Sequence, residues 1–114
     1  MAPKITITRA TGTWVVRAGG AVLGESKNAL ELSEGDHPSV IYFPRSDIAT
    51  AFLDASSHTS HCPHKGDASY YSIVTKSKTI ENAVWSYEAP LDAVSKIKDH
   101  LAFYPSDDVT VERV

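Results

Sequence analysis

The apolar residues of this chain come in short runs, each closed by glycine, proline or small polar residues, which leaves little room for long helices. Trp14-Val15-Val16-Arg17 and Ala21-Val22-Leu23 flank Ala18-Gly19-Gly20, and Ser39-Val40-Ile41-Tyr42-Phe43 is bounded by Pro38 and Pro44. β-Branched and aromatic side chains fit a pleated, half-buried surface, and a Gly-Gly pair supplies the positive φ of a tight hairpin turn. A chain punctuated this often builds its core from short antiparallel strands.

The same reading extends along the chain. Ile5 and Ile7 alternate with Thr6 and Thr8 into a first strand that runs toward Arg9. Residues 25–36 mix Asn28, Glu31, Glu34 and Gly35 with Leu30 and Leu32, which predicts a short element dipping into the core, then a solvent loop. Ser46 before Asp47, with Ile48 and Phe52 at helical spacing, predicts a helix of about two turns. Residues 68–75 and 79–87 form a second hairpin across Lys76-Ser77-Lys78, with Tyr70, Ser72 and Val74 on one face, Tyr71, Ile73 and Thr75 on the other, and Trp85 and Tyr87 beside Ala83. Pro90 starts a second short helix through Leu91, Val94 and Ile97 or Leu101. Residues 101–105 and Val109-Thr110-Val111 are strands separated by the Asp107-Asp108 turn. The sum is a mainly-β domain spanning 1–114, with seven or eight short strands and two short helices.

At 114 residues the chain has room for one core. A net charge of -3 argues against a general electrostatic grip on nucleic acid or an anionic membrane. A single cysteine excludes an intramolecular disulfide framework. The start, Met1-Ala2-Pro3-Lys4-Ile5-Thr6-Ile7-Thr8, lacks the apolar core of a secretory leader, and no segment approaches the ~18 apolar residues of a membrane span. These features predict a soluble protein of a reducing compartment, the cytoplasm.

Chemistry concentrates in one stretch. Ser57-His58-Thr59-Ser60-His61-Cys62-Pro63-His64-Lys65-Gly66-Asp67 holds three of the five histidines, the cysteine and a Lys-Gly pair. His58, His61, Cys62 and His64 are ligand types that zinc accepts, but zinc sites draw on separated segments, and so tight a spacing with Pro63 in its middle does not close a tetrahedron. No metal and no cofactor is expected. Cys62 beside His61, His64 and Lys65 is a candidate nucleophile, against the alternative of a small buried residue next to proline. Lys65 is a candidate cation for an anionic or carbonyl group, against the alternative of a surface charge on a turn.

The residues also carry a resemblance. Trp14-Val15-Val16 with Gly19-Gly20, Tyr42-Phe43-Pro44 with Asp47, Cys62-Pro63-His64-Lys65-Gly66-Asp67-Ala68-Ser69-Tyr70, Ala83-Val84-Trp85-Ser86-Tyr87 with Pro90, and Ala102-Phe103-Tyr104 together resemble domain-of-unknown-function family 427. That family also bears the label of a nucleotidyltransferase-type domain. The resemblance implies a β-tent, two antiparallel sheets leaning over a groove as in methionine-R-sulfoxide reductases and the thalidomide-binding domain of cereblon. The structural zinc of many such proteins, held by two Cys-x-x-Cys pairs, is not expected with one cysteine. Nucleotidyl transfer would use Lys65 and Gly66 on a phosphate, but also carboxylates converging on Mg²⁺, and Asp67 has no Asp-x-Asp partner.

Three functions stay open. In the first, a small molecule occupies a pocket at the Cys-Pro-His-Lys-Gly turn, with Lys65 and Gly66 on its polar group and Tyr70, Trp85 and Tyr87 as walls. In the second, the chain is an enzyme with Cys62 or Lys65 as nucleophile and His64 as proton carrier. The third is a protein-interaction module. The substrate or ligand and the oligomeric state are open.

Overall fold

Each run read as a strand forms one in the computed structural model, which describes residues 4–114. The first three residues, part of the stretch read above for a leader, lie outside the described residues. In chain order the strands are β1 (Ile5–Arg9), β2 (Trp14–Ala18), β3 (Ala21–Ser26), β4 (Leu30–Glu34), β5 (Val40–Tyr42), β6 (Leu53–Cys62), β7 (Gly66–Val74), β8 (Thr79–Ser86), β9 (Ala102–Phe103) and β10 (Val109–Arg113). The protein is mainly β, as its residues predict, but in finer division: among the described residues there are ten strands in three antiparallel sheets, where the sequence pattern predicts seven or eight strands and the resemblance implies two sheets. The sheets run β1-β4-β5, β10-β2-β3 and β6-β7-β8-β9. Among the described residues no helix is long and apolar enough to cross a membrane.

The two additional strands have plain causes. β4 is the short element expected to dip into the core at Leu30 and Leu32. It pairs with both β1 and β5, and the alternation of Leu30 and Leu32 with Glu31 and Ser33 makes it a strand that extends to Glu34, where the sequence predicts loop. β6 is an edge strand whose residues are mostly exposed, so it carries almost no hydrophobic period, and β7 templates it.

The helix expected after Ser46 does not form. Arg45–Asp47 and Thr50–Phe52 are separate 3₁₀ turns, and between them Ile48 is extended, at φ -112° and ψ 139°. Ile48 bridges to Gly24 in β3, and the amide of Ala49 donates to the carbonyl of Leu23 at 2.8 Å, so sheet pairing overrides a weak helical signal. The helix expected from Pro90 is reduced to a 3₁₀ element, Asp92–Ile97, kinked at the buried Val94.

Two hydrophobic clusters hold the sheets together. The first gathers Val16, Ala18, Phe43, Ile73, Val84, Leu101 and Val109; the second gathers Leu32, Tyr42, Tyr70, Tyr87, Val94 and Ile97. β7 serves both, because successive side chains point to opposite faces: Ala68 and Tyr70 on one, Tyr71 and Ile73 on the other. Tyr70 therefore lies in the second cluster and Ile73 in the first, both buried. The second cluster is unusual in being walled by tyrosines, and the candidate site opens over it.

Candidate functional site

The turn between β6 and β7 sets the geometry. Cys62 pairs with Gly66 across the hairpin, the amide of Lys65 donates to the carbonyl of Cys62 at 3.1 Å, and Gly66 takes φ 110°, a conformation few other residues accept. The carbonyl of Lys65 accepts from the amide of Leu91 at 3.0 Å, tying the turn to the segment after β8. This positions the Lys65 side chain against β4, where Nζ donates to Glu34 Oε1 at 2.8 Å.

That ion pair is largely withdrawn from solvent, with side chains 13% and 15% exposed. Burial works against the Lys65 ammonium, but the hydrogen bond and charge of Glu34, with the neighbouring Cys62, outweigh it and hold the lysine above its ordinary value. The Lys65 hydrogen bond holds Glu34 below the ordinary carboxylate value, against the opposing effect of burial. The pair thus favours the ammonium form of Lys65, a hydrogen-bond donor. An ammonium has three protons and a carboxylate about four acceptor positions, so both partners keep capacity beyond their mutual bond.

The shifts fix a pH dependence. Glu34, with its lowered pKa, stabilises the fold above the ordinary carboxylate value of 4.5 and loses this as pH falls through its folded value. Lys65, with its raised pKa, stabilises it below the ordinary ammonium value of 10.5 and loses this as pH rises through its folded value. The stability difference between wild type and a Lys65→Met/Glu34→Leu double variant, read by urea denaturation, is therefore expected to be flat across neutral pH. It should shift against wild type toward either extreme.

Around the pair lies a cavity of about 280 Å³, lined by Leu32, Glu34, His37, Pro38, Val40, Tyr42, Ser60, Lys65, Tyr70, Trp85, Tyr87 and Tyr104. Lys65 Nζ stands 6.0 Å from the centroid of the Tyr87 ring. The hydroxyls of Ser60 and Tyr70 share a hydrogen bond of 2.9 Å, those of Tyr70 and Tyr104 one of 3.3 Å, and the Trp85 indole donates to the Tyr42 hydroxyl at 3.3 Å. Tyr70 and Tyr104 are nearly parallel, and the Tyr104 and Trp85 centroids are 4.3 Å apart. Burial pushes Tyr42 and Tyr87 up, and burial with the Tyr70 hydrogen bond pushes Tyr104 up to about 12. These phenols are therefore neutral at physiological pH and can each donate and accept.

The structure brings Lys65, Tyr70, Trp85 and Tyr87 to one cavity, with Gly66 buried in the turn behind them. Half-buried Cys62 packs against the second cluster, and half-buried His64 stands close enough to Glu34 to favour its charge; neither lines the cavity. The other histidines part company. His58 sets its ring edge-on to Tyr70 at 4.4 Å, while His61 Nδ1 lies 2.7 Å from Asp67 Oδ1 on the exposed face. Among the described residues no three His, Cys, Asp or Glu side chains converge at metal-binding distance. Glu34, Tyr42, Ser60 and Tyr104 are not singled out as site residues by the sequence; Tyr42 and Tyr104 appear there within apolar runs and in the family resemblance, Ser60 within the His-rich stretch, and Glu34 as a loop charge.

Fold and site define a mainly-β domain with a tyrosine-walled polar cavity centred on a shielded Lys-Glu pair. The chain belongs to the family described as Domain of unknown function (DUF427), whose model matches residues 6–114. This is the family that the Cys62–Tyr70 stretch and its companions resemble. No curated protein matches the chain.

Proposed function

We propose that the Lys65 cavity binds a small, flat, uncharged molecule carrying a carbonyl with an adjacent N–H or O–H, and that the protein is a small-molecule-binding domain. The observation that supports this best is the Lys65-Glu34 pair itself. A ligand carbonyl accepts from a remaining Lys65 proton, and the neighbouring N–H or O–H donates to a remaining Glu34 lone pair. An anion gains little, because Glu34 already neutralises Lys65 and would repel it. Tyr70, Trp85 and Tyr104 supply aromatic faces, and neutral phenols supply groups that adapt to either polarity.

Lys65, Gly66, Tyr70, Trp85 and Tyr87 act here as binding residues, joined by Glu34, Tyr42, Ser60 and Tyr104. The charged state of Lys65 weakens its claim as a nucleophile, and with it the phosphate chemistry of the family's other label. The test is thermal stabilisation by a panel of lactams and cyclic ureas beside nucleotides and sugar phosphates. At least one uncharged compound is expected to raise the melting temperature by a few degrees, and the phosphorylated compounds to leave it unchanged. A panel in which only the anions stabilise, or in which nothing does, would sink the proposal.

A further inference from the structure

Beyond Trp85 and Tyr104 the Lys65 cavity has a neighbour. A second cavity of about 520 Å³ is lined by Trp14, Ile41, Phe103 and Val111, and it shares Pro38, Val40, Trp85 and Tyr104 with the first. The shared residues come from two sides: Val40 starts β5 and Pro38 precedes it, whereas Trp85 lies in β8 and Tyr104 follows β9, in a different sheet. The two cavities therefore adjoin along Pro38, Val40, Trp85 and Tyr104. Of the shared rings, Tyr104 is 47% exposed.

The chambers differ in chemistry. The first has the Lys65-Glu34 pair and a network of hydroxyls. In the second, Glu31 is the one charged lining residue, and Trp14, Val40, Ile41, Phe103 and Val111 present apolar surface. We infer that the ligand has two parts, an uncharged polar ring held at Lys65 and Glu34 and an apolar substituent that passes between Val40 and Tyr104 into the Trp14 chamber. This rests on the reading of the Lys65 cavity as a binding site. The four residues common to the two cavities favour an extension of the same molecule over a separate occupant. Glu31 in one chamber and Glu34 in the other exclude an anionic group at either end, so fatty acids and phosphorylated lipids do not fit.

Of the chain's two tryptophans, Trp14 lines the apolar chamber alone and Trp85 lines both, so Trp14 is the specific reporter of the second chamber. The probes are δ-valerolactam and the same ring bearing a hexyl chain on a ring carbon, titrated into the ¹⁵N-labelled protein. The bare lactam is expected to move the Trp85 indole resonance and leave that of Trp14 in place, and the hexyl compound to move both and bind about tenfold tighter or better. Ile41→Asn should abolish the advantage of the chain. If that variant fails to fold, the Trp14 resonance in the unaltered protein decides. A hexyl compound that binds no tighter than the bare ring, or that leaves Trp14 unmoved, overturns the two-part ligand while the Lys65 reading stands. If neither compound binds, both fall.

Discussion

Lys65→Met is expected to lower the stability of the protein by about 3 kcal/mol, near the lower end of what removing one partner of a shielded ion pair costs. The loss arises less from the missing bond than from Glu34, which stays 15% exposed with no cation to compensate it. Two corollaries separate this cause from simple loss of packing. The carboxyl of Glu34 should titrate at higher pH in the variant, because the hydrogen bond that lowers it is gone. The double variant Lys65→Met/Glu34→Leu should recover most of the stability, to within about 1 kcal/mol of wild type, since replacing both charges by apolar groups removes the orphan. Chemical denaturation of the four proteins closes the cycle. A double variant as unstable as Lys65→Met would mean that packing of the lysine stem, not its charge, supports the turn. Binding of any lactam should also fall by at least about tenfold in Lys65→Met, as it does when a charged hydrogen-bond donor is lost.

Gly24→Ala is the second large effect. A Cβ at Gly24 would stand 2.5 Å from the carbonyl oxygen of Asp47 and from Cδ1 of Ile48. Backbone cannot yield as a side-chain tip can, so β3 must separate from the Ile48 bridge, exposing a residue that is 6% exposed in the native fold. The expected cost is about 3 kcal/mol, with Ser26 and its 2.7 Å hydrogen bond to Asp47 strained as well. Gly20→Ala makes the control. Gly20 has φ 84°, but a methyl group at this position would meet nothing within 4 Å, so the variant should lose only about 1 kcal/mol, from backbone strain in the hairpin turn. Equal losses at the two positions would show that the close approach of β3 to the Asp47 carbonyl is relieved at little cost.

These two sites also mark what is legible in the residues and what is not. The Gly19-Gly20 turn is, because a hairpin needs positive φ at both positions and the observed angles are 56° and 84°. Gly24 is not, because its requirement comes from a segment more than twenty positions away. The same remoteness explains the helix expected after Ser46: the N-cap and spacing are real local signals, but Ile48 finds a stronger partner in β3. β6 escapes because an exposed edge strand has no buried face to mark it, and its Ser-His-Thr-Ser-His stretch looks like a loop. At the site, the Lys65-Gly66 turn and the aromatics of β7 and β8 are visible as chemistry. Their counterpart is hidden, since Glu34 meets Lys65 across 31 positions and only the pairing of β1, β4 and β5 carries it there. Without Glu34, Lys65 reads as an anion's partner or a nucleophile; with it, the cavity holds a mutually neutralised pair, on which the proposed donor-acceptor reading rests.

That neutral character is the central claim, and the Trp85 indole tests it most directly. Trp85 lines the cavity with the Lys65-Glu34 pair and Tyr104, and its indole N–H donates to the Tyr42 hydroxyl at 3.3 Å. On titration with δ-valerolactam its resonance should move and saturate in the wild-type protein, and inorganic phosphate at the same concentrations should not move it. A Trp85 resonance that ignores the lactam and answers to phosphate would contradict the claim.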